Sequence, residues 1–181
     1  MGPLPAIAVT GKEYAGAVRR VISLAQKELF VSCFIFSLRS YLGKQILEDF
    51  SAAISRGVVL SVALNQRLAG GVTLKHTKKF GGALEGIGAI VKRWPTKQVC
   101  HSKLFISDRR YILIGSHNIS DRSITTNIET SIFLDDEKIA ETFLDYFDSY
   151  NYFRDCRPDK ANYLAQVQAI KVRNGLDKPI R

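Results

Sequence analysis

The sequence predicts an α/β fold in which a mixed β-sheet is flanked by helices on both faces. Short apolar runs, typical of buried strands, alternate with longer segments whose apolar residues recur at helical spacing. Strands that are apolar at nearly every position need cover on both faces of their sheet. Three later strands are separated by only a few residues, which is too short for parallel crossovers, so that part of the sheet must be antiparallel or mixed.

The first half of the chain supplies two pairs of a helix followed by a strand. Residues 13–28 have an apolar face at helical spacing, and 29–36 form a run rich in β-branched and aromatic residues, which predicts a buried strand. A second helix is expected over 40–56, ended by Gly57, and a second buried strand over 58–64. Both strands are apolar enough to lie inside the sheet.

The middle of the chain has a looser pattern. A helix is expected over 73–84, interrupted by Gly81 and Gly82, because glycine disfavours the helix interior. A short strand over 89–93 follows.

The second half carries the closely spaced strands 103–106, 111–114 and 129–134. A long amphipathic helix is expected from Asp135, as N-cap, to residue 153. We expect residues 1–157 to form one domain and 158–181 to form a basic C-terminal extension packed on it. The apolar start of the chain is short and lacks a basic region, which favours an edge strand over a signal peptide.

The three cysteines are Cys33, Cys100 and Cys156. They are odd in number and widely spaced, so they predict neither a disulfide framework nor a metal-binding pair. Reduced thiols are typical of a cytoplasmic protein, which is the expected location.

The net charge of +9 is concentrated in one stretch of the chain. Between Arg67 and Arg110 there are ten basic residues and two acidic ones. Such a stretch suits a polyanion, either nucleic acid or an anionic lipid surface, and the alternative is a generally basic solvated surface. Candidate contacts to a nucleic-acid backbone are Lys75, Lys78, Lys79, Lys92 and Arg93.

One segment carries a chemical pattern. Residues 101–118 match His-x-Lys-x4-Asp-x6-Gly-Ser-x-Asn at all six fixed positions. His101 and Lys103 are two apart on a predicted strand, so their side chains emerge on the same face. At the end of the next strand, Gly115 would let a phosphate approach the backbone, and Ser116 and Asn118 supply neutral hydrogen-bond donors.

This pattern resembles that of the phospholipase D superfamily, and Asn127-x-Glu129 resembles a second element common in the family. The resemblance implies a phospholipase D-like α/β/α sandwich and a phosphodiesterase that needs no metal or other cofactor. It also implies a two-step displacement in which His101 attacks phosphorus, forms a phosphohistidine and is released by water. A second histidine would protonate the leaving oxygen.

The resemblance gives the other matched residues their roles. The groups expected to bind the phosphate are Gly115, Lys103, Ser116 and Asn118. Glu129 would hold the His101 ring in the tautomer that leaves its attacking nitrogen unprotonated. Asp108 completes the set of catalytic candidates, although its position in a turn favours a structural role.

The chain contains a single copy of the motif, whereas the reaction needs two histidines. His76-x-Lys78 begins like a second copy but lacks the later fixed residues. His117 alternates to the side opposite Ser116 and Asn118. A homodimer that joins two copies of His101 is therefore expected, as in single-motif members of the family.

Three functions stay open. An endonuclease acting on DNA or RNA is favoured by the basic stretch, because lysine and arginine contacts dominate nonspecific nucleic-acid affinity. A phospholipase acting on phosphatidyl lipids or cardiolipin would need an acyl-chain groove or an interfacial element. A catalytically silent nucleic-acid-binding dimer is disfavoured by the complete motif.

Overall fold

The computed structural model describes residues 6–65, 71–94 and 99–149, with the side chains at 65, 71–78 and 94 outside that description. The described elements are β1 (Ile7–Thr10), α1 (Glu13–Leu24), β2 (Glu28–Cys33), α2 (Tyr41–Ser55), β3 (Val59–Asn65), α3 (Gly71–Gly86), β4 (Ile90–Trp94), β5 (Lys103–Ser107), β6 (Tyr111–Gly115), α4 (Asp121–Thr125), β7 (Thr130–Asp135) and α5 (Glu137–Ser149).

Seven strands form one sheet in the order β1-β7-β6-β5-β2-β3-β4. β2, β3 and β4 are parallel to one another. β5 is antiparallel to β2 and to β6, and β7 is antiparallel to β6 and to β1. The predicted mixed sheet, with its antiparallel part in the second half of the chain, is confirmed. β1 is an edge strand, as expected.

Helices cover both faces of this sheet, which confirms the predicted layers. The larger core cluster joins one sheet face to α1, α2 and α3 through residues such as Val18, Phe50 and Leu84. The smaller cluster joins the other face to α5 through Ala140 and Phe147. Burying each large apolar side chain contributes about 1.5–3 kcal/mol, so the two layers are held chiefly by apolar burial.

The second helix begins and ends where the sequence predicts. Ser40 caps it, because its Oγ accepts a hydrogen bond from the Gly43 amide at 2.9 Å. After the helix, Gly57 has φ +97°, in the left-handed region that glycine adopts at little cost.

The third helix was predicted wrongly, because α3 runs through Gly81 and Gly82 without interruption. The reason lies in its packing. A Cβ at Gly81 would come within 3.2 Å of the Arg93 guanidinium and 3.5 Å of a Leu64 methyl. The glycine therefore allows α3 to lie close to β3 and β4, and that contact outweighs its low helix propensity.

Other boundaries also differ from the prediction. α1 ends at Leu24, since the chain must turn before β2 begins at Glu28. Asp135 belongs to β7 and pairs with Arg110 at 3.0 Å, whereas Asp136 caps α5 by accepting from the Ile139 amide at 2.9 Å. The short helix α4 was not predicted, and the extension over 158–181 lies outside the described residues.

Candidate active site

The residues of the motif from His101 to Lys103 and from Gly115 to Asn118 meet at one edge of the sheet because β5 is antiparallel to both of its neighbours. Cys33, at the end of β2, is the register partner of Lys103, at the start of β5. On the other side, Leu104 pairs with Ile114, next to the end of β6. The ends of β2 and β6 therefore flank the start of β5, where His101 and Lys103 lie.

Lys103 and His101 form the centre of this site. The Lys103 Nζ lies 2.9 Å from Nδ1 and 3.3 Å from Nε2 of the His101 ring, and it donates to the His101 carbonyl oxygen at 2.6 Å. The imidazole packs on Phe34 with ring centroids 4.3 Å apart. Lys103 is 5% exposed, whereas His101 is exposed. An ammonium group only donates, so a ring nitrogen facing it must be an unprotonated acceptor.

The electrostatics of the pair favour a neutral imidazole. Burial lowers the pKa of His101, and the positive charge of Lys103 lowers it further. Burial also lowers the pKa of Lys103, although the nearby Cys33 and Glu129 act in the opposite direction. A neutral histidine beside a cationic donor is the protonation state that nucleophilic attack requires.

Asn118 faces the same edge from the loop after β6. Its Oδ1 accepts a hydrogen bond from the Ile35 amide at 3.1 Å. An isolated parallel bridge between Phe36 and Ile119 holds the two loops side by side. With its oxygen engaged, Asn118 keeps its side-chain NH₂ as a donor, and among the described residues that NH₂ has no hydrogen-bond partner.

Gly115 and Ser116 are engaged with β7. The Ser116 hydroxyl accepts from the Thr130 amide at 3.1 Å and donates to the Thr130 carbonyl at 3.3 Å. A Cβ at Gly115 would overlap Ser131 and the Thr130 carbonyl. The predicted reason for this glycine, access for a phosphate, is therefore wrong: the space is filled by the neighbouring strand. Ser116 remains exposed at the edge of the site.

Glu129 does not contact His101 as the resemblance implied. Within the described part of the chain its carboxylate accepts from the Asn127 side chain at 3.0 Å and makes no hydrogen bond to His101. Burial acts to raise the pKa of Glu129, but the nearby Ser116 hydroxyl and the hydrogen bond from Asn127 outweigh it and the pKa is lowered. The carboxylate is therefore ionised beside Lys103, whose charge it supports.

Asp108 lies away from the site. It follows the far end of β5, about 16 Å from Lys103 at a rise of roughly 3.3 Å per residue. Its carboxylate accepts from the amides of Gln26, Lys27 and Glu28 at 2.8, 2.8 and 3.0 Å. The structure thus places Asp108 in the role expected from its turn, joining the hairpin to the α1–β2 loop, and not among the reacting groups.

His117 lies on the buried side of the loop, as its alternation predicts. The ring is fully buried, stacks on Tyr14 at 4.2 Å and 7°, and places Nδ1 2.8 Å from the Ser131 Oγ. Sequence reasoning missed Tyr14 and Phe34 as neighbours of the site. Tyr14 shows only the apolar spacing of a core helix residue, so no signal marked it.

The basic residues do not form one uniform surface. Lys92 is only 5% exposed, so its prediction as a nucleic-acid contact is wrong: on β4 it points toward α5. Arg93 is partly exposed and pairs with Glu85 at 2.7 Å. Lys79 is exposed and fits the prediction. The side chains of Lys75 and Lys78 lie outside the description.

Two absences hold for the part of the chain that the structure describes. No group of three or more His, Cys, Asp or Glu side chains is placed there to hold a metal ion. No helix there is both long and apolar enough to cross a membrane.

Comparison with known families agrees with this geometry. The sequence model of the family described as "Cardiolipin synthase, PLD-like domain" matches residues 18–151, which include every strand except β1. The chain belongs to the phospholipase D-like family. The resemblance drawn from the motif is confirmed.

Relatives of this phospholipase D-like chain carry nuclease names. The human 5'-3' exonuclease PLD4 is 29% identical over 120 residues, covering 59% of this chain and 23% of that protein. The mouse 5'-3' exonuclease PLD4 is 27% identical over 137 residues, covering 68% of this chain and 26% of that protein. The chain thus spans about a quarter of the length of these curated relatives.

Several solved structures, one of them a phospholipase D family member, share the fold. Nuc from Salmonella typhimurium superimposes with a TM-score of 0.67 at 20% identity, over 80% of this chain and 93% of that one. NucT from Helicobacter pylori gives 0.64 at 16% identity, over 80% and 94%. TrmBL2, an archaeal chromatin protein with a novel mode of DNA binding, gives 0.54 at 20%, over 81% and 52%. The predicted fold class is confirmed.

Proposed function

We propose that this chain is a metal-independent phosphodiesterase, an endonuclease that hydrolyses DNA or RNA in the active site of a homodimer. The observation that carries the proposal is the neutral, exposed ring of His101 beside the Lys103 ammonium, with the Asn118 NH₂ at the same sheet edge. A nucleophile flanked by a cation and a neutral donor suits attack on an anionic phosphodiester.

The reaction proceeds in two displacements. A ring nitrogen of His101 attacks phosphorus and the bond to the leaving oxygen breaks, while a second histidine gives that oxygen its proton. Water then attacks the phosphohistidine, the second histidine takes a proton from the water, and the bond between phosphorus and His101 breaks. Lys103 and Asn118 donate to the non-bridging oxygens, where negative charge accumulates in the transition state, and Ser116 lies beside them.

The second histidine comes from another copy of the chain. His117, although inside the motif, is fully buried against Tyr14 and cannot reach a substrate. The side chain of His76 lies outside the description, and the sequence around it lacks the rest of the motif. Two copies of His101 related by a twofold axis supply both the nucleophile and the acid.

Nucleic acid is the substrate that the relatives favour. The human and mouse relatives are named as 5'-3' exonucleases, and TrmBL2 binds DNA. The exposed Lys79 and the basic net charge agree with a polyanionic substrate. The description of the matching family, cardiolipin synthase, supports phosphatidyl lipid as the second candidate, and TrmBL2 makes a silent DNA-binding dimer the third.

A cleavage assay in EDTA separates these functions. Supercoiled plasmid, linear duplex and single-stranded oligonucleotides of DNA and RNA are incubated with the wild type, with His101→Ala and with the remote surface variant Arg19→Ala. We expect nicking of the closed circle by the wild type and by Arg19→Ala, and none by His101→Ala. Shortening of the linear substrates from one end only, with the closed circle left intact, would contradict an endonuclease, because an endonuclease cuts at internal bonds.

Other outcomes select the other functions. Headgroup release from phosphatidylglycerol or cardiolipin vesicles, without nucleic-acid cleavage, would select the phospholipase. DNA binding without turnover on either substrate would select the silent module. Activity lost in EDTA and restored by Mg²⁺ would contradict a metal-independent reaction.

Subunit mixing tests the shared site. Wild type and His101→Ala are exchanged at equal amounts to give a statistical mixture of dimers. A site that needs both histidines retains a quarter of the wild-type activity, because only one dimer in four carries two intact copies. Retention of half the activity would show that each chain works alone and would overturn the dimeric site.

A further inference from the structure

Tyr14 of α1 touches the loop that follows β6, which contains His117 and Asn118, from inside the core. It is 2% exposed and lies 103 residues before its hydrogen-bond partner. Its ring stacks on His117, and its hydroxyl donates to the His117 carbonyl oxygen at 3.2 Å. Neither residue is a fixed position of the motif, and neither enters the proposed reaction.

The hydrogen bond from the Tyr14 hydroxyl restrains the backbone at Asn118. The His117 carbonyl belongs to the peptide whose nitrogen is that of Asn118, and a peptide unit is planar. Holding this oxygen in place therefore fixes the orientation of the peptide plane that precedes the Cα of Asn118. At its other end the Asn118 Oδ1 is held by the Ile35 amide at 3.1 Å. These two anchors restrict the orientation of the NH₂ group, and the loop that carries it flanks the start of β5, which His101 precedes.

The His117 ring does more than fill space. Its Nδ1 lies 2.8 Å from the Ser131 Oγ on β7, while its buried Nε2 has no hydrogen-bond partner among the described residues. A phenylalanine would stack on Tyr14 equally well and leave no unsatisfied nitrogen. Of the two ring nitrogens, Nδ1 makes the contact that joins the loop to β7, and phenylalanine could not make it.

We propose that Tyr14 and His117 are positioning residues that hold the Asn118 amide in the orientation that binds a non-bridging phosphate oxygen. The inference rests on the proposed function, because it assigns Asn118 to the phosphate. The pair acts through Asn118 and touches no substrate itself.

A double-mutant cycle tests the proposal. Tyr14→Phe keeps the stacked ring and removes only the hydroxyl. We expect it to raise KM about threefold and to lower kcat about tenfold, because the oriented amide binds the phosphate of the substrate and matters most where charge accumulates in the transition state. In an Asn118→Ala background the same change should lower kcat less than twofold, since the amide that Tyr14 orients is gone.

The variants that accompany the cycle separate positioning from folding. Tyr111→Phe is the matched control, because Tyr111 lies at the opposite end of β6, and full activity is expected. His117→Phe keeps the stack, loses the contact to Ser131 and removes the Nε2, which is unpaired in the described part of the structure. The last two changes act on stability in opposite directions, so a lowered kcat without a lowered melting temperature is expected. Equal losses from Tyr14→Phe in both backgrounds, or full activity of Tyr14→Phe, would overturn the proposal.

A measurement of phosphate binding tests the same proposal without depending on turnover. The affinity for inorganic phosphate is measured by calorimetry for the same four proteins of the cycle. We expect Tyr14→Phe to weaken binding about threefold to tenfold in the wild-type background and not in the Asn118→Ala background. If the wild type binds phosphate but cleaves nothing, the proposed reaction fails while this measurement still decides the positioning role. A wild type that neither cleaves nor binds phosphate would overturn both.

Discussion

Asp108→Asn removes one carboxylate oxygen from the junction between the hairpin and the α1–β2 loop. In the structure one oxygen of Asp108 accepts from the amides of Lys27 and Glu28, and the other accepts from the amide of Gln26. Asparagine can place its oxygen on the first two amides, but its NH₂ then faces the Gln26 amide, which is also a donor. Asparagine also tolerates the φ of +50° at this position.

The loss in stability follows from counting these bonds. One hydrogen bond disappears, worth about 1 kcal/mol, and two charge-assisted bonds become neutral, each losing roughly 0.5–1 kcal/mol. The amides of Gln26 and Lys27 are near the surface, so water replaces part of what is lost. We therefore expect the free energy of unfolding to fall by about 2 kcal/mol, which lowers the melting temperature by roughly 4–8 °C.

The assay pairs stability with activity. Urea and thermal unfolding are followed by circular dichroism at fixed protein concentration, and kcat is measured at a temperature where the variant is fully folded. Asp49→Asn is the matched control, because it perturbs only an exposed ion pair with Arg19. We expect Asp108→Asn to keep kcat within about twofold of the wild type. A kcat lowered a hundredfold with unchanged stability would refute the structural role and restore Asp108 to the reacting groups.

Three further predictions concern packing, pH and charge. Gly115→Ala should lower the free energy of unfolding by about 1–3 kcal/mol in urea melts, since the methyl overlaps Ser131, and an unchanged midpoint would contradict this. Because its pKa is lowered, the His101 ring stays neutral at pH values somewhat below 6.5, the ordinary pKa of histidine. The loss of kcat/KM on acidification should therefore occur below pH 6.5 rather than at or above it. In DNA-binding titrations Lys79→Ala should reduce the slope of log K against log salt by about 1, whereas an equal effect of the buried Lys92→Met would contradict the fold.

The sequence predicted the central features because they depend on local pattern. Strands buried on both faces must be apolar, so their runs are visible without knowledge of the partners. His101 and Lys103 come together as expected, although β5 begins only at Lys103 and the Lys103 side chain reaches back to the ring of His101, which precedes the strand. The loop with Asn118 lies beside them because β5 and β6 form an antiparallel hairpin. Asp108 was among the catalytic candidates, with a structural role favoured by its position in a turn, and its hydrogen bonds to the α1–β2 loop agree with the structural role.

The features that sequence reasoning missed depend on partners far along the chain. Lys92 and Arg93 are adjacent on one strand, and only the position of α5 decides which of them is buried. The reason for Gly115 is β7, a strand that follows it by fifteen residues or more. Tyr14 has the spacing of any core residue, and its partner His117 lies across the fold.

The pairing of β1 with β7 has a consequence for synthesis. Thr10 pairs with Thr130, so β1 has its partner in a strand that is made 120 residues later. At 5–20 residues per second, a ribosome needs roughly 6–24 s to produce the 120 residues between them. The stack of Tyr14 on His117 spans nearly the same interval. A nascent chain therefore carries β1 and Tyr14 without their partners until β7 and His117 have been made, and the loop that holds Asn118 is fixed only as the fold closes.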